Sequence, residues 1–258
     1  MNLLSCSKLI LTQIRPLRNN CFYDKINYKT NSYKILSDWK KLKMSKLVQL
    51  DENTPSIRYL CKKDKRFQKV FSMIGSISYE LQEDGYSFLI HEIIEQMLSA
   101  KAANAIYGRL KKLCGGSVCP DIINSLSDEQ ILSIGTSRAK VKAIRSLTQE
   151  IENGNIVFSE FDNMTDAAVL HTLTRVHGIG MWTAKMYLLF VLDRQDILPF
   201  EDIAFLQGYG WTYKTDDYSP AAVKKKCGKW KPYSSIAARY MYLAVDKGLT
   251  KKEFHLFK

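Results

Sequence analysis

LTRVHGIGMWTAKMYLLFVLDRQDILPFED, residues Leu173 to Asp202, decides how the rest of the chain is read. Its apolar spacing predicts the end of one helix, a turn built on His177-Gly178-Ile179-Gly180, and a second helix. A proline-marked loop then delivers two acids, Glu201 and Asp202. Glycine lacks a Cβ and tolerates φ > 0, so paired glycines let backbone approach another molecule closely. A helix starting directly after Gly180 presents unpaired N–H groups and the positive end of its dipole. That is an anion site, and in a basic chain the expected anion is a nucleic-acid phosphate. An acid placed shortly afterwards would be repelled by a bound phosphate backbone unless it had chemistry to perform.

The chain has 258 residues and a formal charge of +12, from 38 Lys/Arg and 26 Asp/Glu. Much of that charge is local. Residues 1–43 hold nine Lys/Arg against two acids, Asp24 and Asp38, and the remainder is only modestly basic. Affinity for nucleic acid is therefore expected from a defined surface and oriented amides rather than from bulk charge. The six cysteines are scattered and read as free thiols in a reducing compartment. Cys114 and Cys119 could begin a metal site, but no second Cys/His pair completes it. No apolar stretch reaches the roughly 18–20 residues of a membrane span. The expected setting is intracellular: cytoplasmic, and nucleoid-associated if the source is bacterial.

Residues 1–55 read as a basic N-terminal extension without a clear helical or strand period. The preferred reading takes Met44 as the natural start, a disordered basic tail being the next. An organellar transit peptide is a lesser alternative, since Ser and Arg are sparse. Residues 56–258 read as one all-α domain of about ten helices. Asp64 suits the cap of a helix from Lys65 to about Leu81, and a second helix centres on residues 88–98. Ser99 opens a helix through Leu113, and Pro120 a short one. Ser127 and Gln130 form a capping-box pattern, and Ser137 starts a basic helix carrying Arg138, Lys140, Lys142 and Arg145. Thr165 caps the helix that enters the glycine turn, and three more helices follow Asp202. The main strand signal is Asn155-Ile156-Val157-Phe158.

Taken alone, Gly178-Ile179-Gly180 is weak, because glycines often end helices. Together with Trp182-Thr183-Ala184 and Leu198-Pro199-Phe200-Glu201-Asp202, the stretch resembles the helix-hairpin-helix (HhH-GPD) DNA glycosylases. Its nearest branch is similar to the 3-methyladenine DNA glycosylase II (AlkA type) group, without that group's N-terminal β domain. The resemblance extends over about residues 60–258 and includes the stretches 93–103, 137–140 and 230–237. It implies two helical subdomains with the active-site cleft between them. It also implies a monofunctional enzyme, acting as a monomer on double-stranded DNA, that flips out alkylated purines such as 3-methyladenine and 7-methylguanine. Base excision would leave an abasic site, and no cofactor is called for.

By that resemblance Asp202 is the catalytic carboxylate, and the chemistry agrees. Cleaving an N-glycosidic bond builds positive charge on the sugar, which a fixed carboxylate stabilises. Position alone also suits Asp202 as the N-cap of the following helix, and the two roles are compatible. Trp182 stands where bifunctional relatives carry a lysine nucleophile, which implies attack by water. Trp182 and Tyr242 fall where the family places pocket aromatics, with Trp211 and Tyr187 as weaker candidates and Trp230 favoured as a core anchor. DNA contacts are expected from His177, Gly178, Ile179, Gly180, Met181 and Thr183, with Gln96 and Leu98 on the loop that fills the gap left by the flipped base. Leu98 is the wedge candidate, or else ordinary core. No side-chain metal site is implied, though hairpin carbonyls could hold a monovalent cation. Departures from the family pattern are His177, Met97 and Ser234, where proline, glutamine and arginine are common. A non-catalytic DNA-binding hairpin and a glycosylase for oxidised bases are the rival readings.

Overall fold

The structure is a computed structural model and describes residues 47–256. The expectations for Met44 and for residues 1–43 lie outside the described residues. Two strands, β1 (Leu47–Leu50) and β2 (Ile77–Glu80), pair antiparallel with Leu47 opposite Glu80 and Leu50 opposite Ile77. The remaining regular structure is helical. In chain order it comprises α1 (Pro55–Lys63), α2 (Lys65–Ile74), α3 (Gly85–Glu95), α4 (Ala100–Leu113), α5 (Pro120–Ser125), α6 (Asp128–Ser133), α7 (Arg138–Glu152), α8 (Asp166–Thr174), α9 (Met181–Phe190), α10 (Ile203–Tyr213), α11 (Pro220–Cys227) and α12 (Ser234–Asp246).

Local chemistry accounts for most of these boundaries. Asp64, Ser99, Ser137, Thr165 and Asp202 each accept a backbone N–H from the first turn of the helix they precede. Ser127 and Gln130 make both halves of the capping box. The helix expected from Lys65 to Leu81 ends early. Gly75 at φ 80° stops α2, and the chain leaves it extended so that Ile77–Glu80 can pair with β1. Phe71, Ile74 and Ile77 keep a helical spacing while Ile77, Tyr79 and Leu81 alternate as in a strand, and the partner strand decides between them. Leu47–Leu50, inside the stretch read as an extension, supplies that partner. Asn155–Phe158 is not a strand; it leads into a 3-10 turn over Phe158–Asn163.

Packing divides the helices into two groups. Helices α1, α2, α10 and α12 pack on one another, so the start and end of the fold share one layer. Helices α3 to α9 form the other, with α3 against α4, α7 and α9, and α8 against α9. The loop between α9 and α10 carries the chain from one group to the other and is held from both sides. Arg194 donates to Phe161 O and Met164 O, while Ser235 N donates to Gln195 O. Asp202 stands where this loop ends.

No helix among the described residues is long and apolar enough to cross a membrane. Cys61, Cys114, Cys119 and Cys227 are free thiols, three of them buried.

Candidate active site and DNA-facing hairpin

The two glycines of the turn have different jobs. Gly178 sits at φ 88°, and a Cβ there would come within 2.4 Å of the Ala143 Cβ on α7, so both conformation and space demand glycine. Gly180 has ordinary φ (−91°) and open space where a Cβ would go. It is the N-cap of α9 and offers no side-chain cap, which leaves the first-turn amides facing outward. Ile179 is buried between them and ties the turn with its N–H on Val176 O at 3.1 Å. His177 and Met181 flank the turn and are exposed. This is the shape expected of an anion-binding turn.

Gln96 reaches the turn from the end of α3. Its Nε2 donates to Gly178 O at 2.8 Å and approaches Thr183 Oγ1 at 3.5 Å. Thr183 is buried, and Gly178 O, one of the hairpin carbonyls considered for a monovalent cation, accepts this hydrogen bond. The next residue, Met97, is 92% exposed and held at φ 61°. Leu98, expected as the wedge or else as core, is half-buried against the hydrophobic core. An exposed apolar side chain on a strained non-glycine backbone is an outlier of the kind that gathers at functional sites. The family pattern points to Leu98, whereas exposure and a positive φ single out its neighbour Met97.

Asp202 is the N-cap of α10 and is 4% exposed. Its Oδ1 accepts from Phe205 N at 2.9 Å, and its Oδ2 accepts from Trp182 Nε1 at 2.6 Å. The indole thus joins the first turn of α9 to the first turn of α10, across the two helix groups. Burial pushes the Asp202 carboxyl above its ordinary range, and the two hydrogen bonds only partly offset that. Glu201 is handled separately. Lys185 Nζ lies 2.8 and 2.7 Å from its two oxygens, also touches Leu198 O, and sits 3.7 Å from the centre of the Phe200 ring. Lys185 is therefore a buried ion-pair partner that holds the loop, with burial lowering its pKa. No ion pair to Asp202 occurs among the described residues.

The other aromatic candidates are placed differently. Tyr187 is 1% exposed, packed among Phe88, Phe158 and Phe161, and a Cβ on Gly85 would strike its hydroxyl. It is core in this structure, because its face of α9 points into the helix layer. Trp211 lies in the last turn of α10, about 13 Å along the axis from Asp202 at 1.5 Å per residue. Its Nε1 donates to Lys252 O at 2.7 Å, and its ring meets Phe254 edge-on, so it seals the C-terminal segment. Tyr242 is 2% exposed, with its ring tilted 6.2 Å from Phe190. Trp230 is fully buried, and its Nε1 donates to Asp64 Oδ2. Trp182 of this set donates a hydrogen bond to Asp202.

Two basic residues of α7 are also turned inward. Lys140 donates to Ile94 O and Gln96 O, closing the end of α3, and Arg145 binds Asp128, Ile123 O and Leu126 O. Arg138 and Lys142 remain exposed on that helix.

The family described as "HhH-GPD superfamily base excision DNA repair protein" matches residues 90–232. DNA-3-methyladenine glycosylase 1 of Schizosaccharomyces pombe is 28% identical over 187 residues, covering 69% of this chain and 82% of that one. A crystal structure of DNA-3-methyladenine glycosidase from Bacillus halodurans superposes with a TM-score of 0.73 at 28% identity, covering 81% of this chain and 97% of the other. The Schizosaccharomyces pombe 3-methyladenine DNA glycosylase in complex with abasic DNA gives a TM-score of 0.70 at 24% identity, over 80% of this chain and all of that one.

Proposed function

The chain belongs to the HhH-GPD superfamily of base excision DNA repair proteins, and from that premise we propose that it is a monofunctional DNA glycosylase for alkylated purines. It acts inside the cell as a monomer on double-stranded DNA, and 3-methyladenine and 7-methylguanine are its substrates. The observation that carries the reading is Asp202, a buried carboxylate fixed by Trp182 Nε1 and Phe205 N and paired with no cation among the described residues.

The reaction follows from that arrangement. The hairpin amides at the start of α9 hold a phosphate, and Met97 fills the gap left when the damaged nucleotide leaves the stack. An N-alkylated purine is cationic, so the electrons of the C1′–N bond pass to a leaving group that needs no added proton. The sugar becomes oxocarbenium-like, and Asp202 in its dry setting stabilises the charge. Water adds to C1′ and gives up a proton, yielding free base and an abasic site. Lys185 takes no part, since Glu201 binds it on both oxygens. Trp182, standing where a lysine nucleophile would stand, leaves no amine to form a Schiff base.

Methylated duplex DNA incubated with wild type and Asp202→Asn tests this. Release of methylated purines by wild type alone supports it; equal release by both, or by neither, overturns it. Borohydride should trap no covalent complex with wild type.

A further inference from the structure

Three donor atoms that this chemistry does not use face one another on α3. His91 Nδ1 lies 3.8 Å from Glu92 Oε1 and 3.6 Å from Glu95 Oε2, and the three donors all fall within 4.8 Å of each other. Glu92 and Glu95 are 1% and 3% exposed, on a helix covered by α4, α7 and α9. Neither carboxylate oxygen of Glu92 has a hydrogen-bond partner among the described residues. A buried carboxylate without a hydrogen bond, and with only an imidazole nitrogen 3.8 Å away, is costly, because its charge has lost water and regained little.

The far side of the imidazole sharpens the point. Asn104 Nδ2 donates to Ala100 O at 2.8 Å, which turns its Oδ1 toward His91 Nε2 at 3.1 Å. An amide oxygen only accepts, so Nε2 carries the proton in that contact. The Tyr107 ring meets the imidazole edge-on at 5.0 Å and fixes its plane. A neutral His91 therefore aims the Nδ1 lone pair at two carboxylates. A doubly protonated His91 still leaves Glu92 without a hydrogen bond, its nearest oxygen 3.8 Å from Nδ1. Lys140, next to the helix end, directs its Nζ to Ile94 O and Gln96 O. A divalent cation with a neutral imidazole balances two carboxylates, and a ring N–H held by a carbonyl oxygen is the usual support of a metal-binding histidine.

We propose that His91 Nδ1, Glu92 and Glu95 bind a first-row divalent cation, Zn²⁺ being the probe of choice. One imidazole and two carboxylates form a donor set that Zn²⁺ accepts, at metal–donor distances of about 2.0–2.2 Å. Such distances put neighbouring donors roughly 3.3 Å apart in a tetrahedral site, so small side-chain rotations would close the present separations. Glu95 ends α3, Gln96 follows on the hairpin carbonyl, and Met97 comes next. The ion therefore stiffens the helix end from which the DNA-facing loop departs.

The test needs no substrate. The metal-stripped full chain is incubated with equimolar Zn²⁺, desalted and assayed for metal, and affinity is measured by calorimetry for wild type, His91→Gln and Glu92→Gln. The expected result is one retained ion per wild-type chain, with affinity at least roughly tenfold weaker in each variant. Zn²⁺ should raise the Tm of wild type but not of the variants. Glu92→Gln removes the surplus charge, so its metal-free form should fold at least as well as wild type. No retention by wild type overturns the site. So does equal retention by both variants, which would place the ion on other donors such as the cysteine thiols.

Discussion

Asp64 and Asp202 are built from the same parts and end in opposite electrostatic states. Each is a buried aspartate that caps a helix, and each accepts a hydrogen bond from an indole N–H. Asp64 also receives the Tyr213 hydroxyl and has Lys229 Nζ at 3.2 Å. Burial alone would raise its pKa, but Tyr213, Trp230 and Lys229 together bring it below the ordinary carboxylate range. Asp202 has no such cation, its acidic neighbour Glu201 opposes its ionisation, and its pKa is raised. Asp64 is compensated within the protein. Asp202 is held dry with no ion-pair partner among the described residues, and in the proposed reaction the positive charge that answers it is the one the sugar develops in the transition state.

The largest effect expected from breaking this contrast is on catalysis. Asp202→Asn keeps a capping oxygen, so folding changes little, while single-turnover base release falls roughly a thousandfold, or about 4 kcal/mol. Asp64→Asn should do the reverse. It leaves Lys229 and the Tyr213 and Trp230 donors around a neutral group, costing about 3 kcal/mol in denaturant unfolding, with base release per folded molecule retained.

Acid separates the two again. Asp64, with its lowered pKa, contributes stability that is present above its unfolded pKa and lost as pH falls through the folded value. Asp202, with its raised pKa, costs stability at neutral pH, and that cost disappears as pH falls through its folded value. In the proposed mechanism its ionised form is the active one. The acid limb of the pH–rate profile of base release should therefore lie above the usual carboxylate range, while Asp64→Asn leaves that limb in place.

Smaller effects come from the hairpin and its neighbour. Gly178→Ala forces a Cβ onto Ala143 at a positive φ and should cost about 2 kcal/mol in unfolding, with weaker and less salt-dependent DNA binding. Met97→Gly relieves φ 61° and should stabilise the protein by about 1 kcal/mol while slowing base release from duplex more than from single strands.

The parts of this molecule that sequence reveals are those governed by neighbours in the chain. The caps at Asp64, Ser99, Ser127, Ser137 and Thr165 are legible because a capping side chain acts within its own first turn. The same is true of the hairpin glycines and of Asp202, whose capping role is set locally. What depends on distant partners is not legible. Ile77–Glu80 is a strand only because Leu47–Leu50 lies beside it. Tyr187 and Trp211 share the composition of pocket aromatics, and only tertiary packing assigns one to the core and the other to the C-terminal seam. The family resemblance placed Trp182 and Asp202 in one site, but not the hydrogen bond between them, because the indole crosses from one helix group to the other. Nor does the order of residues show that Lys185 is consumed by Glu201, or that Asp64 and Asp202 differ in charge compensation.

Titration of the aspartate side-chain carboxyls by carbon-detected NMR, assigned with Asp64→Asn and Asp202→Asn, tests that difference most directly. Asp202 should titrate above the ordinary aspartate value and Asp64 below it, in the same sample. An Asp202 that titrates at or below the ordinary value would mean that the protein already compensates its charge, and would contradict the account.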